Sequence, residues 1–152
     1  MCILRVRGPD FVPEDYLSSA ALSPYQVYRR GELCSPTSRP DGPKFDASGF
    51  KVSVSDRRWD DLPGQIEDAI EFLQRHRNDL ERLRAAPGVV DIRLDFPYEL
   101  RIDEDNVWAQ FDYLPPKLLA LAGALGIGIE MSLYPRGRDA NDAAGGPATR
   151  PV

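Results

Sequence analysis

Residues that hold metals or carry redox chemistry are scarce in this chain: one histidine, His76, and two cysteines, Cys2 and Cys34, among 152 residues. A site built from several histidines is therefore excluded. The cysteines lack CxxC spacing and allow a single pairing, which fits a reducing compartment. Long apolar runs are missing too. The longest run made of apolar residues and glycine, Leu118 to Ile129, has 12 residues and includes Gly123, Gly126 and Gly128, whereas a membrane-spanning helix needs about 20 apolar residues. Arg5 and Arg7 interrupt the first apolar segment, so a secretory leader is not expected and a cytoplasmic location is. Basic charge is also short, with Lys and Arg at 19 against Asp and Glu at 24. Nucleic-acid binding is disfavoured on that ground, because phosphate contacts need a basic field.

Catalytic signatures are absent as well. There is no GxxxxGK[ST], GxSxG or HExxH, so neither a phosphate cradle, a nucleophile elbow nor a zinc protease helix is indicated. The glycines at 123, 126 and 128 precede a strand instead of following one, which points to helix termination and away from dinucleotide binding. His76 stands between Arg75 and Arg77 on the polar side of a helical pattern. A Cys34 nucleophile would need His76 brought to it by the fold.

What is present is a concentration of negative charge. Residues 87–114 hold seven acidic against two basic residues, and the rest of the chain is close to balance. A local acidic field bears on partners and association rate.

The hydrophobic patterning is readable. Cys2, Leu4 and Val6 alternate with Ile3, Arg5 and Arg7, and Phe50, Val52 and Val54 with Lys51, Ser53 and Ser55; both runs predict strands, the first with one wet face. Pro13 to Ala21 reads as a helix with Glu14 and Asp15 in its first turn. Ser23 to Ser48 is irregular, with a short strand at Gln26 to Arg29. Leu62, Ile66, Ala69, Ile70, Leu73, Leu80 and Leu83 form one stripe, predicting a long helix from Leu62 to Ala86, started by Asp60 or Asp61 and stopped by Pro87-Gly88. Val89 to Phe96 and Val107 to Tyr113 read as strands flanking an acidic Glu99 to Asp105 loop. A helix from Pro115 or Pro116 to Leu125, closed by Gly126, leads to a last strand with Ile127, Ile129, Met131 and Leu133 inward. The expected organisation is one α+β domain over residues 1–134 and a flexible Gly/Ala/Pro tail over 135–152. The expected sheet is mainly antiparallel with helices on one face, in a ferredoxin-like or doubled split βαβ arrangement.

The segment Ser23-Pro24-Tyr25-Gln26-Val27-Tyr28-Arg29-Arg30-Gly31, the strand Gly49-Phe50-Lys51-Val52-Ser53, the helix after Leu62, and the run from Trp108 through Pro115-Pro116-Lys117-Leu118-Leu119 to Leu133-Tyr134 carry a resemblance. Over residues 1–135 the chain resembles the bacterial family catalogued as domain of unknown function 4279. The Pro-rich stretch from Cys34 to Lys44 stands out as an insertion. The resemblance implies a small cytoplasmic α/β domain, some relatives of which look like immunity proteins of toxin systems; it implies no catalytic residues.

Three groups of residues invite a functional reading. Strand alternation turns Asp91, Arg93 and Asp95, then Trp108, Gln110 and Asp112, and then Glu130, Ser132 and Tyr134 to the face opposite the helices. An outward tryptophan among carboxylates matches the makeup of protein interfaces; the bland alternative is that the tail or the Pro-rich segment covers it. Asp103, Glu104 and Asp105 begin like a calcium loop, but the later glycine and the twelfth-position glutamate are missing. They read as a solvated turn or as an electrostatic lure for a basic partner. Tyr28, Arg29 and Arg30, beside Tyr25, form the one aromatic and basic patch, either a packed turn or an anion site in which arginine pairs grip carboxylate or phosphate.

The resulting expectation is a non-enzymatic protein-binding domain without cofactor or metal. Its most specific form is an immunity protein that meets a basic toxin through an acidic sheet surface. The alternative is a small-molecule sensor that uses the anion site. The oligomeric state is open.

Overall fold

The computed structural model describes residues 1–35, 39, 41–102 and 107–134. Nine elements follow one another: β1 (Cys2–Gly8), α1 (Pro13–Leu17), β2 (Gln26–Tyr28), β3 (Ser48–Ser55), α2 (Leu62–Arg75), α3 (Arg77–Arg84), β4 (Asp91–Glu99), α4 (Pro116–Leu125) and β5 (Gly128–Tyr134). The fold is α+β. Its sheet has the order β2-β3-β1-β4-β5, antiparallel at every pairing except β4 with β5.

Topology follows from the connections. β3 and β4 each run antiparallel to β1, which lies between them, so β3, the α2–α3 pair and β4 make one split βαβ unit. A second split unit is not formed. β4 and β5 lie side by side in parallel, joined through α4, where a doubled ferredoxin-like plan would put a strand between them. The expected tail over 135–152 lies outside the described residues.

Every helix sits on the same face of the sheet. Cys2, Leu4 and Val6 of β1, Phe50 and Val52 of β3, and Ile92, Leu94, Phe96 and Tyr98 of β4 turn to that face and are buried. They meet Leu62, Ile66, Ala69 and Leu73 of α2, Leu80 and Leu83 of α3, and Leu118, Ala122 and Leu125 of α4. Burying one such side chain is worth about 1.5–3 kcal/mol, so this layer dominates stability. α1 joins through Tyr16, whose ring stacks on Phe50 at 5.9 Å and whose hydroxyl donates to the Asp79 carbonyl at 2.9 Å.

Several boundaries differ from the sequence expectation. The long helix divides at His76, whose φ of −101° and ψ of 18° leave the helical region. Between Leu73 and Leu80 no side chain is apolar, so nothing anchors that turn to the core. α1 stops at Leu17. β4 begins at Asp91, and Val90, expected inward, is exposed at the turn before it. Gly126 closes α4 as expected, with a left-handed φ of 67°.

The strand expected at Val107 to Tyr113 does not form. Val107 makes one isolated bridge and residues 108–115 are irregular. Two causes are visible. The free edge of β4 is taken by β5, including Leu100 N–H to the Tyr134 carbonyl at 2.8 Å. The segment is instead tied back by side chains: Arg101 N–H donates to Gln110 Oε1 at 2.8 Å, and Arg101 pairs with Asp112 at 2.7 Å.

Candidate functional site

The face of the sheet away from the helices carries a charge lattice that balances itself. Cross-strand register places Lys51, Arg5 and Arg93 side by side in one row of β3, β1 and β4. Such a row of cations is destabilising unless anions flank it. The flanking anions are Asp91 and Asp95 on β4 and Glu130 on β5. Arg5 forms an ion pair with Asp95 and lies 3.9 Å from Glu130; Arg93 pairs with Asp91 and, at 3.3 Å, with Glu130; Arg7 reaches Asp91 at 3.9 Å and Asp46 at 3.8 Å. Asp95 also accepts a hydrogen bond from Ser132 Oγ at 2.6 Å and is only 1% exposed. Its outward direction was expected; its burial was not.

Titration reflects this lattice. The hydrogen bond to Asp91 holds the Arg93 guanidinium above its ordinary range. Burial, with Arg5 nearby, pushes the Lys51 ammonium down. With Arg5, Arg7, Lys51 and Arg93 among its carboxylates, this face is not the acidic surface that charge counting along the chain suggested.

The expected anion site is not assembled. Tyr28 is buried, with its ring stacked on Phe45 at 4.2 Å and its hydroxyl donating to the Val6 carbonyl at 3.4 Å. That close approach is possible because position 49 is glycine: a Cβ there would meet the Val6 carbonyl at 2.0 Å. Arg29 pairs with Glu14 at 2.7 Å, and the N–H at the start of α1 together with Arg29 holds the Glu14 carboxyl below its usual range. Arg30 is exposed but has neither neighbour to act with. Among the described residues, no group of three or more His, Cys, Asp or Glu could hold a metal ion, and no helix is long and apolar enough to cross a membrane. Asp103, Glu104 and Asp105 lie outside the described residues. His76 closes α2 against the Phe72 ring, 4.7 Å away, and both cysteines are free, Cys2 buried and Cys34 exposed.

The outstanding feature is the irregular segment after β4. Trp108 is 92% exposed, Phe111 89% and Tyr113 73%. Trp108 was expected to point outward from a strand, with its exposure left open between a binding surface and a cover by the tail or the Pro-rich segment; among the described residues it is exposed, and it stands on a loop. Ala109 and Phe111, expected inward, face solvent, while Gln110 and Asp112, expected outward, turn to the protein. Gln110 Nε2 donates to Asp112 Oδ2 at 2.8 Å and to the Glu99 carbonyl at 3.4 Å. Burial, and then the Asp112 carboxylate, pushes the Tyr98 hydroxyl above its ordinary value. The Arg101–Asp112–Gln110 network thus fixes the backbone while the aromatic rings project away from it.

Phe111 and Tyr113 border a cleft of about 410 Å³ against the start of α2, with Leu62, Ile66 and Ile70 as its apolar wall and Glu67, Arg101 and Asp112 at its rim. Apolar walls with a few polar groups at the mouth are the usual makeup of a binding cleft. Sequence reasoning found Trp108 but missed Phe111, Tyr113 and the α2 wall. The local signal was Pro115-Pro116 directly after a segment in which only Val107 is β-branched.

Nothing among the curated proteins and nothing among the solved structures matches the chain. The resemblance read from the sequence is upheld, since the match of residues 1–136 to the family described as domain of unknown function (DUF4279) places this chain in that family.

Proposed function

We propose that the chain is a non-enzymatic protein-binding domain that captures a basic partner through the Trp108–Tyr113 segment and the cleft beside it, and that its specific role is that of an immunity protein neutralising a bacterial toxin. The observation that carries the reading is the exposure of three aromatic rings within six residues, on a backbone pinned by Arg101, Gln110 and Asp112. Contiguous exposed apolar groups of this kind mark interaction sites, and pre-fixed aromatic anchors are the residues that dominate interface energy. Basic character in the partner follows from charge. Asp103, Glu104 and Asp105 stand just before the aromatic run in the chain, Glu67 stands at the rim of the cleft, and tryptophan is the best ring for a cation to stack on. The sheet carboxylates Asp91 and Asp95 are spent on arginines of this chain, so they have little left for a partner.

The test is capture from the native host with the tagged chain, the Trp108→Ala/Phe111→Ala variant and Asp91→Asn. One stoichiometric basic protein, held by wild type and Asp91→Asn, lost in the aromatic variant and released by salt, is the expected result. Toxicity of that protein when expressed alone, relieved by co-expression of this chain, is expected for the immunity role. Retention by the aromatic variant would overturn the site. An anion-sensing role at Tyr28, Arg29 and Arg30 has less support, because two of the three side chains are already engaged.

A further inference from the structure

The open face of the sheet carries cations on β1, β3 and β4, and the arginines among them are paired. Arg5 meets Asp95, Arg93 meets Asp91 and Glu130, and Arg7 lies near Asp46 and Asp91. Lys51 differs. Among the described residues its ammonium has neither an ion pair nor a hydrogen bond. Asp95, the carboxylate whose charge is felt at Lys51, is already bound by Arg5 and by the Ser132 hydroxyl. Lys51 also stands directly opposite Arg5, and like charges on facing positions of neighbouring strands repel. Two more donors at this end of the row lack an acceptor. Arg5 Nε is buried and unbonded, its Nη atoms being the ones that face Asp95 and Glu130. Gln26, opposite Lys51 on β2, has its side-chain amide unbonded among the described residues. Register thus lines up Gln26, Lys51 and Arg5 on one face, with donors to spare and no acceptor of their own. Tyr25, 57% exposed, stands beside them, close enough to Arg5 and Asp95 for its hydroxyl to feel both charges.

We propose that this end of the row binds the carboxylate of a small organic acid, held by Lys51 and Gln26 beside Arg5. Charge sets the class. Lys51 and Arg5 are positive and Asp95 is negative, so a single negative charge balances the group, and a monocarboxylate brings just that. A phosphate monoester, close to doubly charged at neutral pH, would overshoot the balance and meet more repulsion from Asp95. Geometry agrees with the choice. A carboxylate only accepts hydrogen bonds, and on both oxygens, which suits an ammonium and an amide on adjacent strands whose Cβ atoms are about 4.5–5.5 Å apart. The Tyr25 ring offers a surface to the apolar body of the acid. Burial, and then Arg5, holds the Lys51 ammonium below its ordinary value; a bound anion favours the charged form and offsets the Lys51–Arg5 repulsion. The patch at Tyr28, Arg29 and Arg30 takes no part, since Arg29 is committed to Glu14. This inference is independent of the aromatic site and of the partner it captures.

The test is the melting midpoint of the full chain in sodium propionate, benzoate, sulfate and phosphate, each compared with sodium chloride at equal ionic strength. For wild type a saturable rise of about 4 °C is expected once the carboxylate reaches roughly ten times its dissociation constant, with a much smaller response to sulfate and phosphate. Lys51→Met should fold, as circular dichroism will show, and lose the response. Gln26→Glu places a carboxylate of the chain itself opposite Lys51; it should melt above wild type in chloride and ignore added carboxylates. Amide chemical shifts in the benzoate titration should move most at Gln26 and Lys51. A wild-type midpoint that does not rise saturably, or a rise that survives Lys51→Met, overturns the proposal. An equal response to sulfate and phosphate overturns the carboxylate assignment.

Discussion

β4 and the segment after it start from similar charge: three acidic residues to one basic between 87 and 99, and four to one between 100 and 114. They end in opposite circumstances. On β4 the carboxylates lie between the arginines of β1 and the hydroxyl and carboxylate of β5, and the strand face is neutral in effect. After β4, Arg101 and Gln110 consume one carboxylate, Asp112, to hold the backbone, and the side chains left over are aromatic rings in water. Charge along the chain does not measure charge on the surface, because a sheet brings in partners from strands far away in sequence. The contrast also separates two uses of polar networks: in one the network is the packing, in the other it is the mount for something else.

The contrast breaks most easily at Arg5. Arg5→Met leaves the buried Asp95 carboxylate with only the Ser132 hydroxyl as partner, and removing one member of a buried pair costs about 3 kcal/mol. Urea unfolding should show that loss, and it should shrink markedly in Arg5→Met/Asp95→Leu, where no charge is stranded. A single variant with wild-type stability would mean that water reaches Asp95 and that the lattice is an ordinary surface network.

The aromatic segment should behave in the opposite way. Trp108→Ala/Phe111→Ala removes rings that touch little, so stability should stay within about 0.5 kcal/mol of wild type, while partner capture falls by about 30-fold or more. A large stability loss instead would show that the rings pack in solution, and the two regions would then be alike.

A smaller effect lies outside both regions and serves as their control. Hydrogen bonds from Arg82 and from the Ala21 N–H hold the Asp79 carboxyl below its usual range. A depressed carboxylate contributes stability that is fully present above about pH 4 and is lost as the pH falls through the folded value. Acid unfolding of Asp79→Asn should lack that part of the pH dependence, with no change in partner capture.

Much of this architecture could be read from local pattern. β1, β3, the start of α2 and the Gly126 end of α4 each depend on alternation, a helical stripe or a cap, and each came out near its expected place. The missed elements depend on neighbours. Val107, Ala109, Phe111 and Tyr113 alternate as a strand does, yet a strand needs an open edge, and β5 had already taken the one beside β4. Asp95 alternates outward as expected, but its burial required Arg5 and Ser132, which lie 90 residues before it and 37 after it.

The sequence by itself determined the α+β class, the single helical layer and the family membership, because these rest on period, composition and order, which are properties of contiguous residues. Only the tertiary structure decided which charges cancel, which strand edge stays open and which rings remain in water. Those outcomes depend on which distant strands become neighbours, and hydrogen-bonded edges are filled once and exclude every later candidate.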